Sequence, residues 1–276
     1  MGASRQFVII ALALLATCNV QQASARFLAS HRAIYDLALD KASDKSGITS
    51  LSGRMVYEFS GSPCEGYTTN FRYVTRINTE NAPRLTDQQT TTFEDGDGKT
   101  FSFATKSLVD GDLDKEVEGV ATRGPDDIAV KLTKPQKADL KLRQTWFPTQ
   151  HLVELLGKAE HGEHFYETSL FDGSDDADRV MTTTVVIGKR KETKADDPEY
   201  AALGSLKNDP YWPVTIAYFD TSGGKGSGML PTYSISLKLH DNGITRDLLM
   251  DYGDFSVKGR LVDLSVFEPH KDKCGK

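Results

Sequence analysis

Two cysteines that lie far apart in the chain have the chemistry to form a disulfide bond. Cys64 and Cys274 remain once Cys18 is set aside, because Cys18 falls in an N-terminal segment that we expect to be removed. An even number of cysteines in an exported chain indicates a disulfide, since the bond persists in oxidising compartments. Two free thiols and a shared metal ion are the alternatives, although two cysteines alone cannot complete a tetrahedral site. A bridge would close nearly the whole chain and contribute at most about 5 kcal/mol.

The first 25 residues have the pattern of a secretory signal peptide. A positive charge and an uncharged apolar run precede the small-residue sequence Ala23-Ser24-Ala25. We therefore expect cleavage between Ala25 and Arg26, which leaves residues 26–276 as a single β domain. The alternative is lipidation of Cys18, but the preceding threonine fits a lipoprotein signal poorly.

Three histidines are the nearest approach to a metal cluster. His161 and His164 are three residues apart and His151 lies upstream, with Glu160 and Glu163 on either side. Neither of the histidine–glutamate zinc motifs can be written from these residues. A histidine near a helix C-terminus is favourable on electrostatic grounds alone. The sequence therefore predicts polar residues at a helix end and no metal site.

Two further segments resemble known functional loops without completing them. Residues 172–178 contain four aspartates, but a calcium loop of the EF-hand type would need glycine at Ala177 and a carboxylate at Thr183. The glycine-rich segment 221–231 lacks the spacing of a phosphate loop, and Ser227 lacks the flanking glycines of a nucleophile elbow. We predict a polar turn and a flexible connection, with no catalytic residue and no cofactor.

Composition narrows the classes of partner. The chain has 276 residues and a formal net charge of −6. A mildly acidic chain is a poor match for nucleic acid or for an anionic membrane surface. After the leader no apolar run has the length of a transmembrane helix, so no membrane span is predicted in the mature chain.

The elements that must position these residues are mostly strands. Residues 232–240 alternate strictly between apolar and polar side chains, which indicates a strand with one buried face. The same alternation recurs in segments that contain Met55, Tyr57, Phe59, Phe71, Tyr73, Phe101 and Phe103. Near the C-terminus, Val257 and Leu264 fall on opposite parities, which predicts a bulge or bend at Gly259 between them. About a dozen strands joined by short turns are expected.

One helix is predicted, over residues 148–159. Its apolar stripe consists of Leu152, Leu155, Leu156 and Ala159 at helical spacing. An isolated helix of this length is marginal in water, so the stripe should pack against the sheet. The predicted fold is mainly β: one long antiparallel, curled or spiral-like sheet, a half-barrel, with this helix packed against it.

Several segments resemble the EipB family of alphaproteobacterial envelope integrity proteins. They are 57–68 (YEFSGSPCEGYT), 147–151 (FPTQH), 170–176 (LFDGSDD), 212–220 (WPVTIAYFD) and 251–255 (DYGDF), followed by Cys274. The resemblance covers residues 30–275 and implies a spiral-like β fold in the periplasm of a Gram-negative bacterium. It also implies a Cys64–Cys274 disulfide and a periplasmic tetratricopeptide-repeat protein as partner, and it supplies no catalytic residues.

The expected function is therefore non-enzymatic support of cell-envelope integrity, with the protein acting as a protein-interaction scaffold. The alternative is a lipid or lipoprotein carrier or sensor that uses the concave face of the sheet. An apolar concave face with a polar rim would favour a ligand of this kind.

Overall fold

Fourteen strands and one α-helix make up most of the computed structural model, which describes residues 28–222 and 230–268. The strands are β1 (His31–Ala42), β2 (Ile48–Ser62), β3 (Gly66–Thr79), β4 (Pro83–Glu94), β5 (Thr100–Val109), β6 (Asp112–Arg123), β7 (Asp127–Lys134), β8 (Ala138–Arg143), β9 (Phe165–Leu170), β10 (Met181–Ile187), β11 (Tyr211–Phe219), β12 (Tyr233–His240), β13 (Thr245–Asp251) and β14 (Phe255–Val266). Helix α1 (Pro148–Glu160) lies between β8 and β9, and short 3-10 turns span Asp44–Ser46, Tyr200–Ala202 and Gly204–Asn208.

All fourteen strands belong to one antiparallel sheet with the order β8-β7-β6-β5-β4-β3-β2-β1-β14-β13-β12-β11-β10-β9. The chain therefore forms two meanders, β1 to β8 and β9 to β14, which meet where β1 pairs with β14. The prediction of a mainly β fold with one long antiparallel sheet and one helix is confirmed.

The two ends of the sheet approach each other across the molecule. Trp146, which follows β8, forms a parallel bridge with Leu170 of β9. Arg143 at the end of β8 also donates a hydrogen bond to Thr182 of β10, at 3.0 Å. In the described part of the chain β8 and β9 do not pair as strands. The two edges of the curled sheet are therefore not joined by a continuous ladder of backbone hydrogen bonds.

Helix α1 begins where its backbone donors meet a buried carboxylate. Pro148 occupies the first turn, where its missing N–H costs nothing. Glu94 of β4 accepts hydrogen bonds from the N–H groups of Thr149 at 2.7 Å and Gln150 at 3.1 Å. A carboxylate at a helix N-terminus satisfies free donors and is stabilised by the helix dipole. Gly162, with φ +75°, follows the helix in the left-handed conformation expected of a C-terminal cap.

The helix packs on the concave side of the sheet. Leu155 and Leu156 are 2% and 0% exposed, Ala159 is buried, and the partly buried Leu152 packs against the same cluster. The sheet residues of this cluster come from β2, β3 and β9 to β12: Phe59, Tyr67, Tyr166, Val185, Ile187, Trp212, Val214, Ile216 and Leu239. The stripe is thus held between distant strands of one sheet.

The register of β14 differs from the prediction. Leu261 pairs with Tyr35 and Asp263 with Ile34, so the chain bulges at Val262 and not at Gly259. A Cβ atom at Gly259 would lie 3.3 Å from Leu248 and 3.4 Å from Leu37, tighter than or at the limit of ordinary contact. Glycine at this position therefore allows close approach of side chains from both neighbouring strands.

Candidate binding cavity

The predicted disulfide residues are only partly within the described chain. Cys64 lies in the turn between β2 and β3 and has an interaction partner. Cys274, Cys18 and the predicted cleavage pair Ala25 and Arg26 lie outside the described residues. The Cys64–Cys274 bridge and the signal peptide stay predictions.

The three histidines near α1 are each held by the protein itself. His151 is buried, its Nε2 lies 3.3 Å from Thr183 Oγ1, and burial lowers its pKa to about 4. His161 Nδ1 lies 2.6 Å from the Gly157 carbonyl oxygen, and His164 Nδ1 lies 3.0 Å from that of Ile187. Over the described ranges no group of three or more His, Cys, Asp or Glu side chains could hold a metal ion.

The aspartates of 172–178 form a turn with local partners. Asp172 accepts a hydrogen bond from the Ser174 N–H at 2.9 Å, and Asp176 forms an ion pair with Lys115 at 2.9 Å. Asp178 pairs with Arg179 at 2.8 Å. These contacts fit the polar turn that the sequence predicts.

A buried charge cluster was not predicted from the sequence. Arg246 of β13 is completely buried, and its Nη1 lies 2.9 Å from Asp197 and 3.2 Å from Glu199. Glu199 also accepts hydrogen bonds from the N–H groups of Asp247 at 3.1 Å and Leu261 at 2.6 Å. Both acids come from a loop of irregular structure, so this cluster fastens the loop to β13 and β14.

The electrostatics of this cluster suit a structural role. Burial opposes ionisation of Asp197, but hydrogen bonds from Lys238, the Glu199 backbone and Arg246 outweigh it and lower its pKa to about 2. Burial raises the pKa of Glu199, against the hydrogen bonds that it accepts. Because every oxygen of these carboxylates faces a donor inside the protein, the cluster stabilises the fold and offers no free base.

An aromatic cavity of about 340 Å³ opens between strands of the two meanders. Its residues come from β1 to β4, β12, β13 and the turn after β13: Tyr35, Met55, Tyr57, Phe71, Tyr73, Gln88, Tyr233, Ile235, Thr245, Leu248, Met250 and Tyr252. No Asp, Glu, Lys or Arg is among these described lining residues. The cavity therefore suits an uncharged apolar group.

The cavity has a buried floor and a polar rim. Tyr35, Met55 and Met250 are at most 6% exposed, whereas Gln88 is exposed and Tyr252 is 39% exposed. The Tyr35 hydroxyl donates to the Thr245 carbonyl oxygen at 2.6 Å. Burial raises the pKa of Tyr35, so its phenol is neutral at ordinary pH.

Charged side chains surround a second opening, of about 360 Å³, near the C-terminus of α1. Its lining includes Glu163, Arg190 and Trp212. Glu163 forms an ion pair with Lys158 at 2.9 Å, while Arg190 stacks on Trp212 and pairs with Asp241. Since these charges already have partners, the aromatic cavity is the better candidate for a binding site.

Sequence reasoning did not find the aromatic cavity, although it found most of the strands that build it. Tyr57, Tyr73 and Tyr233 each occupy the apolar parity of a predicted strand. Their convergence depends on which strands meet across the curled sheet, and one sequence carries no direct sign of that pairing.

No helix in the described ranges is both long and apolar enough to cross a membrane.

Comparison with known proteins identifies a matching family and two similar proteins. The profile of the EipB-like family matches residues 22–268. A relative from Brucella abortus (strain 2308), described as a cell envelope integrity protein EipB, is 56% identical over 254 residues, which are 92% of this chain and 89% of the relative. A crystal structure from Brucella abortus, described as a beta-barrel-like protein of a domain of unknown function, superposes with a TM-score of 0.84 at 56% identity. That match covers 88% of this chain and all of the other.

Proposed function

This chain belongs to the EipB-like family, and on that premise we propose that it supports the integrity of the cell envelope as a non-enzymatic scaffold that binds another protein. The name of the Brucella relative supports the envelope role. The signal peptide pattern supports a periplasmic location, where a tetratricopeptide-repeat protein is the proposed partner.

The observation that carries the scaffold proposal is the position of α1. Leu155 and Leu156 are buried inside the curve of the sheet, and Glu94 accepts hydrogen bonds from the first turn of α1. A carrier of acyl chains needs open interior space, and the helix occupies that space along β9 to β12. With this part of the interior filled, the protein acts through binding surfaces and does not enclose a large cargo.

The second candidate is a lipid or lipoprotein carrier or sensor, favoured by the apolar lining of the aromatic cavity. Its volume of about 340 Å³ is at the lower end of the range of roughly 300–1,000 Å³ for small-molecule pockets. Such a cavity gives little room for the several chains of a lipoprotein anchor. Mass spectrometry of lipid extracted from the purified protein separates the two functions: stoichiometric lipid supports the carrier.

The scaffold is tested by binding and by phenotype together. Purified residues 26–276 should bind a periplasmic tetratricopeptide-repeat protein of the same organism in isothermal titration calorimetry. Deletion of the gene should increase sensitivity to detergents and to cell-wall antibiotics, and the wild-type gene should restore resistance. Absence of binding to every such repeat protein, with lipid recovered in stoichiometric amount, would contradict the scaffold.

A further inference from the structure

The inner face of the sheet changes from apolar to polar along one row of paired residues. Tyr35 pairs with Met55, and Met55 pairs with Tyr73. Across the next strands the same row continues through Gln88, Ser107 and Lys115. Directly paired residues lie on the same face of a sheet. The floor of the aromatic cavity thus continues into polar side chains at β4.

The neighbouring row shows the same change. Tyr57 pairs with Phe71, which pairs with Thr90, which pairs with Thr105. The hydroxyl oxygens of Thr90 and Thr105 are 3.0 Å apart. We call the inner-face residues Gln88, Thr90, Thr105 and Ser107 the polar strip. It borders the cavity and presents hydroxyl and amide groups without a charge.

The composition of the cavity matches the core of a protein–protein interface. Eight of its twelve lining residues are tyrosine, phenylalanine or methionine. These types are enriched at interface cores, where Lys, Glu and Asp are depleted. Binding energy at such interfaces is concentrated in apolar anchors that fill desolvated pockets.

We propose that the aromatic cavity receives one uncharged apolar side chain, leucine or phenylalanine, of a protein partner, while the polar strip hydrogen-bonds the peptide beside that anchor. This inference rests on the proposed scaffold function and specifies where on the molecule the protein partner binds. Two flexible methionines, Met55 and Met250, let the cavity adapt to either anchor.

The polar strip favours a peptide over a hydrocarbon chain as the ligand of this site. A hydrocarbon longer than the cavity would lie over Gln88 and Thr90 and would remove their polar groups from water without replacing the hydrogen bonds. Burying unpaired polar groups is unfavourable. A peptide carries its own donors and acceptors next to each side chain, so it can use the cavity and the strip together.

The methionines provide site-specific probes. Met55 and Met250 line the cavity, and Met181 of β10 does not. With ¹³C-methyl-methionine labelling, N-acetyl-leucinamide and N-acetyl-phenylalaninamide should shift the Met55 and Met250 signals in a saturable way and leave Met181 unchanged. N-acetyl-aspartamide, a charged control probe, should shift none of them. Decanoate represents the hydrocarbon alternative.

A pair of adjacent glutamines gives a matched variant and control. Gln88 is on the cavity rim, and the next residue, Gln89, is exposed on the opposite face of β4. Gln88→Trp should weaken the response to the apolar amides at least tenfold, and Gln89→Trp should leave it at the wild-type level. Unchanged binding in Gln88→Trp, no shift of Met55 and Met250 with either amide, or a response to decanoate alone would each overturn the proposal.

The same variants separate this site from the proposed function. If the tetratricopeptide-repeat partner binds the wild type and Gln88→Trp equally, the scaffold stands and the cavity site is wrong. If the wild type binds no such partner but the methyl signals respond to the amides, the site is supported and the partner assignment fails. Loss of partner binding in Gln88→Trp but not in Gln89→Trp supports both.

Discussion

Tyr73 of β3 and Tyr252, in the turn after β13, line one cavity, and their phenols are close enough to influence each other's pKa, although β2, β1 and β14 lie between their strands. In a flat sheet residues separated in this way would be far apart. Their proximity therefore reflects the curl of the sheet. Each of the two tyrosines also contacts a second aromatic ring. The ring centroids of Tyr252 and Tyr233 are 5.0 Å apart, and those of Tyr73 and Phe71 are 6.1 Å apart.

Tyr252→Phe tests whether the phenols of Tyr73 and Tyr252 share a hydrogen bond. The substitution keeps the ring and removes the hydroxyl, so we expect the free energy of unfolding to fall by about 1 kcal/mol, the usual net value of one hydrogen bond. Chemical denaturation measures the change. Tyr73→Phe in combination should add little further loss, because both substitutions remove the same bond. Fully additive losses would show that the two hydroxyls act independently.

Leu155→Ala tests the packing of α1. The side chain is 2% exposed, so its truncation should lower the free energy of unfolding by about 2–5 kcal/mol through lost burial and a residual cavity. Leu152→Ala on the same helix is the matched control. It should cost less, because Leu152 is only partly buried. If both substitutions leave the free energy of unfolding nearly unchanged but abolish partner binding, the stripe is instead a docking surface.

Removal of either predicted disulfide cysteine should destabilise the protein without unfolding it. Cys64→Ser or Cys274→Ser should lower the free energy of unfolding by roughly 2–5 kcal/mol, because a long closed loop restricts the unfolded chain. The buried apolar residues of the sheet should keep it folded. Thermal unfolding with and without reductant is the measurement. A wild-type melting temperature that reductant leaves unchanged would exclude a stabilising bridge.

Acid should weaken the fold through a buried histidine. Burial lowers the pKa of His151 from 6.5 to about 4. Between these values the unfolded chain binds a proton that the folded chain does not, so stability is present above pH 6.5 and is lost as the pH falls towards 4. His151→Gln should reduce that loss by on the order of 1–3 kcal/mol. Denaturation at pH 7, 5.5 and 4.5 measures the slope, and a slope that His151→Gln leaves unchanged would contradict the prediction.

Local sequence patterns predicted the individual strands and the helix better than the contacts between them. The alternation of residues 232–240 predicted β12. The sequences Asp-Gly-Asp-Gly at 95–98 and Asp-Asn-Gly at 241–243, which are typical of hairpin turns, lie at the β4–β5 and β12–β13 connections. Leucine spacing and Pro148 predicted α1 to within one residue. In each case the decisive interactions are between residues close in sequence.

Other features depend on residues that only the folded chain brings together. The segment 191–210 reads as a charged loop, yet Leu203 and Leu206 are buried in a core cluster and Glu199 bonds the backbone of two strands. The bulge at Val262 follows from the register between β1 and β14, which no local pattern fixes. The position of Glu94 beneath α1 likewise depends on how far the sheet curls.

The pairing of β1 with β14 has a consequence for how the molecule acquires its structure. Each meander grows by hairpins between consecutive strands, which form with short loop closures. Their junction joins residues 31–42 to residues 255–266, so it forms only after the last strand is available for pairing. Until then β1 and β14 are open edges with unpaired backbone groups, which readily pair with other chains. The interval before this junction forms is therefore when the protein is most prone to aggregation.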